Sequence, residues 1–463
     1  MKNYIYIIVL NVFLLIGFNS CKKPLKYSKN HLEFSTDSLL FDTVFTTVGS
    51  ITKNFKIYNN NNSPIKIDEI ELMGGSNSPF RINIDGISGI FHKDIELRKK
   101  DSLFAFVEVT LQVNNVTNPL IISDSIRFKT NGKNQYVHLD VWGQDAYFHV
   151  NELVGDSYYP WLNDKPHVIY GLAAVGYPEI DSNLTLTIPA GTQIYSHKGA
   201  VLLTYKSTLN IQGQLGNEVV FQGDRLESFY DDVPGQWFGI YLSQAKNCVI
   251  DYAIIKNGEV GIRVDTTSAL NTLTLSNTII DNHDFYDLML NSGANVSVEN
   301  CVFGSCGLSS ALLFAGGTST FKNCNFVNYW TGTRGGPAFA LKNWYEDGNG
   351  NVHERDINCN IYNSIFYGNS QDEFIIDSLV NSSATFNVNI SDCLIKKESI
   401  YNYTYLSNII WNSDPMFVDY TLVDYHVNSG SPVIDAGNPT NATTTAIDGV
   451  SRGSTPDIGA YEY

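Results

Sequence analysis

Acidic side chains set close together are the residues of this chain best equipped for chemistry. Asp231 and Asp232 precede the run PGQW, with Asp224 and Glu227 just upstream, and a pair of carboxylates across a sugar bond is what glycoside hydrolysis uses. A second concentration spans 329 to 355. There Trp330, Arg334, Trp344, Tyr345, Asp347, His353 and Arg355 combine aromatic faces with charged ends. That mixture suits a sugar chain, through stacking on the rings and hydrogen bonds to the polar groups; the plainer alternative is a solvated hairpin whose aromatics shield an edge. Asp347-x-Asn349-x-Asn351 has the oxygen-ligand rhythm of a Ca²⁺ loop, but its sixth position is Val352 rather than glycine and its twelfth is Asn358. Turn chemistry accounts for the rhythm better, so no metal site or cofactor is expected, and Ca²⁺ is the one ion left open. No HExxH, P-loop or GxGxxG motif occurs, and the His-Glu of VHERD lacks its second histidine.

The elements that position these residues are written in a repeat. LSNTIIDN (275–282), VENCVFGS (298–305) and FKNCNFVN (321–328) are one phrase restated. Its marker residue falls at Tyr252, Asn277, Asn300, Asn323, Asn363 and Asp392, at intervals of 25, 23, 23, 40 and 29. A period near 23 residues is one coil of a parallel β-helix, in which residues one period apart stack about 4.8 Å above each other. The position after the marker reads Ala253, Thr278, Cys301, Cys324, Ser364, Cys393, a ladder of small residues. Two places later come Ile255, Ile280, Phe303, Phe326, Phe366 and Ile395, a second inward ladder of large apolar groups. Asn and Asp at the marker suit a bend, because they tolerate left-handed backbone and bond to nearby peptide groups. A leucine-rich solenoid is excluded by the missing Leu-x-x-Leu-x-Leu scaffold and the absence of a helical half. Buried packing is the expected role of the cysteines, although stacked Cys301 and Cys324 would also permit a disulfide.

Aligning the coils divides the long 40-residue interval into 4 extra residues in YWTGTRGGP and 13 in KNWYEDGNGNVHERD. Asp347-Gly348 and Asn349-Gly350 are hairpin-turn dipeptides, so the second insertion is expected to project as a hairpin, and insertions on a solenoid often mark its binding face.

Upstream of the repeat, KNFKIYN, PIKIDEIEL, FRINI, SLFAFVEV, DSIRFKT and YVHLDVWG alternate apolar and polar residues between turn-rich stretches. That period of two predicts a small antiparallel β-sandwich. The stretch TVGSITKNFKIYNNNNSPIKIDEIEL resembles the immunoglobulin-like modules of the ASH and HYDIN type. At the amino terminus, Lys2 and the run YIYIIVLNVFLLIGF lead to FNSC, which resembles the lipobox of bacterial lipoproteins; the resemblance implies lipidation of Cys21 and a membrane anchor.

The carboxyl-terminal pieces Ser431-Pro432, Ile434-Asp435-Ala436-Gly437, Asn438-Pro439, Asp448-Gly449, Arg452 and DIGAYEY resemble the end of choice-of-anchor Q proteins of the Bacteroidetes type, which implies a right-handed β-helix. Asp435, Asp448, Arg452 and Asp457 are expected to form a polar lock capping the last coil.

The reading is therefore an all-β chain: signal peptide 1–20, tether 21–30, immunoglobulin-like β-sandwich 31–148, and right-handed parallel β-helix 160–463 with its cap from about 411. With 30 Lys and Arg against 47 Asp and Glu, the net charge of −17 disfavours nucleic acid as a partner. An outer-membrane lipoprotein that binds glycans or envelope partners without cleaving them is the expected function. The β-helix class is similar to pectate lyases and polygalacturonases, so a polysaccharide lyase or hydrolase on the same face is the first alternative. A structural or assembly role is the second.

Overall fold

A computed structural model describes residues 26–46, 48–112, 120–265, 272–379, 383–400 and 403–463. The expected signal peptide and Cys21 lie outside the described residues. Two compact units meet between Gln144 and Asp145, and apart from three short 3₁₀ turns the described elements are all strands.

The first unit is the β-sandwich, and the alternating runs become its strands. One sheet contains Lys53–Asn59, Asp101–Val109 and Phe80–Ile84; the other contains Ser38–Phe45, Lys133–Gln144, Leu120–Thr130, Ile65–Leu72 and Phe91–Leu97. Their inward residues form one core in which the Phe55 and Phe128 rings meet edge-on at 6.1 Å. Arg127 lies on the other face of its strand, paired with Glu69 and Glu71. Pairing is antiparallel except that Ser38–Phe45 runs parallel to Lys133–Gln144.

The second unit is a right-handed parallel β-helix of 25 strands, each paired mainly with the strand three places on. It begins at Tyr147, which pairs with His167, rather than at residue 160. Three sheets run up the coil. The first includes Ala294–Glu299, Gly317–Lys322 and Ile357–Tyr362; the second includes Ile279–Asp281, Val302–Phe303, Asn325–Asn328 and Ile365–Gly368; the third includes Tyr286–Asn291, Ser309–Phe314 and Phe339–Lys342.

The ladders stack in the register expected from the sequence, with Phe303 over Phe326 over Phe366 at 5.1 and 4.9 Å and nearly parallel. Burying such a ring is worth about 1.5–3 kcal/mol. Every marker residue sits at the tight corner between the first and second sheets with positive φ, from Tyr252 at 47° to Asp392 at 56°. The six described cysteines are buried free thiols, and burial raises Cys324 and Cys359 to about 12.

Two sequence expectations need correction. Register pairs Ala311 with Phe339, not with Ala338, so the first insertion takes one residue more and the second one fewer than the alignment gave. The inward partner is the large ring of Phe339, which stacks on Phe374 at 5.7 Å.

The carboxyl-terminal segment, moreover, is not a cap over the last coil. It runs along the flank of the second sheet as a strap, because that sheet's outward residues are themselves apolar: Val302 and Val327 pack on Tyr425, Ile447 and Ala460, and Ile365 and Leu394 pack on Val433 and Ile458. The marker amides hold it. Asn323 donates to the carbonyls of Asp457 (3.2 Å) and Gly459 (3.3 Å) and accepts from the Thr443 N–H (3.0 Å), while Asn363 exchanges two bonds with Asn438. Gly459, at φ 111°, passes so close that a Cβ would lie 2.6 Å from Asn325 Oδ1. The polar lock forms with different partners: Arg452 pairs with Glu462 at 2.7 Å, Asp457 accepts from the Asp435 N–H, and Asp448 meets His426.

Candidate functional site

A cleft of about 490 Å³ opens at the corner between the second and third sheets. Successive coils supply its walls: Asp232 and Pro234 from the loop after Val219–Gly223, Asp281 and Asn282 from a strand end, Ser305 from the next coil, and Tyr329 to Gly332 from the coil after that. Tyr420, Thr421 and Val423 of the strap close it. The Tyr329 and Tyr420 rings stack at 4.0 Å, and burial pushes the Tyr329 phenol up. Trp330 is set by its backbone, its N–H donating to Asn328 Oδ1 (3.1 Å) and its carbonyl accepting from Asn369 (2.7 Å). Its ring lies beside Gly307 and Gly332, where a Cβ at Gly332 would come within 2.8 Å of Nε1.

Asp281 is the chemically distinctive group. Its Oδ1 accepts the Ser305 N–H at 2.7 Å, and the side chain nests over Gly304, whose missing Cβ would otherwise sit 1.8 Å from that oxygen. Burial pushes its carboxyl up to about 6, the Ser305 and Asn282 N–H groups pull the other way, and the Asp232 charge adds to the rise. Lys256, one coil below in register, opposes it. At near-neutral pH the cleft thus holds one exposed carboxylate and one carboxyl poised between its two forms.

The structure separates the acids that sequence spacing grouped. Asp231 and Asp232 are both exposed, but only Asp232 lines the cleft. Asp224 bonds His197 at 2.7 Å and Glu227 bonds Arg225 at 3.1 Å. The Asp231 carbonyl accepts from Asn257, which pins the loop.

The aromatic and charged residues of 329–355 are likewise divided between two corners. Trp330 and Arg334 leave the second sheet, whereas Trp344, Tyr345, Asp347 and His353 form a hairpin of Trp344–Glu346 with Val352–Glu354 beyond the third. Arg334 is not available to a ligand: its guanidinium is 6% exposed and paired with the fully buried Glu373 carboxylate, and it also donates to the Asn328 and Gly336 carbonyls. Asp347 accepts from the Asn349 and Asn351 N–H groups and from His353, each at 2.9 Å, which holds its carboxyl well below the usual range. The Ca²⁺-like rhythm is therefore spent on the turn. Trp344 donates to Asp377 at 3.1 Å beneath the Lys342 ammonium, and Tyr345 stacks on His353 at 4.9 Å. Arg355 instead borders a groove of about 820 Å³ on the outer face of the first sheet, floored by Asn295, Thr318, Asn358 and Asn387. Among the described residues no three His, Cys, Asp or Glu side chains are grouped to hold a metal ion.

Asp281, Asn282 and Tyr420 were missed at the level of sequence. One signal was available: in LSNTIIDN an acid follows the inward Ile280, and the next copy has Gly304 at the same place.

Fold and site together define a β-sandwich followed by a right-handed parallel β-helix with a corner cleft. Residues 191–334 match the family described as right handed beta helix region. No curated protein matches the chain. Among solved structures, the chain is similar to XylC in complex with xylose at 8% identity and TM-score 0.38, over 90% of this chain and 87% of that one. It is similar to a family 123 glycoside hydrolase from Clostridium perfringens at 8% identity and TM-score 0.19, over 26% of this chain and 30% of the hydrolase. An ASH/PapD-like domain of human CEP192 is similar at 10% identity and TM-score 0.18, over 28% of this chain and 94% of that domain.

Proposed function

We propose that this protein is an outer-membrane lipoprotein, tethered through Cys21, that binds glycans in the corner cleft without cleaving them. One observation carries the binding reading: aromatic residues from two parts of the chain, Trp330 and Tyr420, line the same cleft as Asp232, Asp281 and Asn282. Sugar rings offer an apolar face for stacking and a rim of hydroxyls for hydrogen bonds, and concave sites mixing the two groups suit them. The sandwich serves as a spacer or docking module in this reading.

Affinity electrophoresis and calorimetry of the folded protein against a polysaccharide panel test it. Retention without new reducing or unsaturated ends is expected, and Trp330→Ala should weaken it at least tenfold. Absence of retention by every glycan, with a native circular dichroism spectrum, would leave the structural or assembly role instead. Acylation is tested separately: a radiolabelled fatty acid should be incorporated into the wild type and not into Cys21→Ser.

The pK of Asp281 favours a second reading. A carboxyl that is half protonated near pH 6 beside the Asp232 carboxylate has the division of roles used in glycoside hydrolysis. Release of reducing ends that peaks near pH 6 and is abolished by Asp281→Asn would establish a hydrolase.

A further inference from the structure

The charges in the cleft are all of one sign. Asp232 and Asp281 line it, and none of its described lining residues is Lys, Arg or His. The guanidinium nearest in sequence, Arg334, is turned away into its pair with Glu373. The same cleft is lined by Trp330 and by Tyr329 and Tyr420, whose rings stack on each other, together with Thr331, Thr421 and Ser305.

We infer that the cleft selects a sugar bearing an ammonium group, an amino-sugar unit rather than a uronate, a sulfated sugar or a neutral one; this rests on the reading of the cleft as a glycan site. An ammonium group there makes a charge-assisted hydrogen bond to carboxylate and lies against an aromatic face, and both contacts strengthen as water is displaced. A uronate or sulfate brings a third negative charge to two carboxylates in a cleft that no cation lines. The fold is thus shared with enzymes of acidic polysaccharides, while the electrostatics of this cleft are opposite to what such substrates need.

The same geometry sets a pH signature. Asp281 is neutral below about 6 and ionised above it. The groups bearing on it are Asp232, Lys256 in register one coil below, and Tyr425 and Asp287 behind it. An amino sugar keeps its proton between pH 4.5 and 6.5, so its affinity rises over that interval as the second carboxylate appears, whereas a neutral sugar's affinity stays flat.

The test is calorimetric titration of the full protein with the glucosamine disaccharide, its N-acetylated form and a galacturonate disaccharide, at pH 4.5 and 6.5 and at moderate salt. At pH 6.5 the free amine should bind at least tenfold tighter than the acetylated sugar, with a smaller ratio at pH 4.5 and no binding of the uronate. Asp281→Asn should remove the pH dependence, and Asp232→Asn combined with Asp281→Asn should remove the preference. Non-specific attraction to an acidic protein would survive in those variants and would overturn the assignment. Equal or tighter binding of the acetylated or acidic sugar overturns the amine selectivity but leaves glycan binding standing. No binding of any of the three, nor of any glycan in the wider panel, removes the glycan reading itself.

Discussion

Arg334 shows how a residue that looks like a ligand contact from its neighbours in sequence is claimed by the interior. Glu373, buried on its coil, accepts from the Ser370 and Ala338 N–H groups as well as from Arg334. Removing the guanidinium strands a buried carboxylate, so Arg334→Ala should cost about 3–5 kcal/mol in urea unfolding; a loss of glycan affinity at unchanged stability would contradict this placement. Protons act at this scale too. His149 and His167 are buried at the first coil, bonded ring to ring at 2.9 Å and stacked on Trp161. Burial lowers both, His167 to about 4. Between about 6.5 and 4 the unfolded chain therefore binds more protons than the folded one, so this part of the stability is lost as pH falls through that window. Melting temperatures should drop on acidification from pH 7 to 4.5, and His149→Gln with His167→Gln should flatten the drop. Asp281 works with the opposite sign, favouring the fold at low pH and losing that contribution as pH rises from about 4 to 6; Asp281→Asn should accordingly steepen the acid loss.

At the level of elements, the coil was legible because its signals are local and repeated. A small residue after each marker and a large one two places on give an inward ladder wherever strands stack, and the marker's side chain suits left-handed backbone whatever lies outside. The expected ladders therefore hold residue by residue. The extent of the insertions was less legible, because Ala338 and Phe339 are both buried and only the pairing tells which one stacks on Ala311. The candidate site was legible least. Asp232 was visible in sequence, but Asp281 becomes its neighbour through coil stacking, and Tyr420 arrives from a segment about 90 residues beyond Trp330. Asn323 joins the element to its surroundings, since one side chain serves both the bend and the strap. Asn323→Ala loses four hydrogen bonds and strains a residue at φ 51°, which should cost about 3 kcal/mol or more in denaturant unfolding. Asn323→Gly should recover about 1 kcal/mol of that by relieving the backbone.

For the β-helix unit as a whole, the strap is the part that sequence alone misplaced. The expected polar lock of Asp435, Asp448, Arg452 and Asp457 would close the end of the stack, yet the second sheet has an outward apolar face of its own to cover. Truncation after Asn412 would uncover Val302, Val327, Ile365 and Leu394, at about 1.5–3 kcal/mol for each side chain returned to water. The shortened protein should bind the dye ANS or aggregate, and a soluble, dye-silent product with native circular dichroism would contradict the strap's role. The corner beneath it, between the first and second sheets, is tight at each marker from Tyr252 to Asp392. Three long described detours, at 224–238, 329–338 and 343–356, leave from the other two corners. Coils from Tyr252 to Asp392 can thus differ in length along two edges of the prism, while the third edge, along which the tail runs, is a spine whose spacing changes only by whole coils.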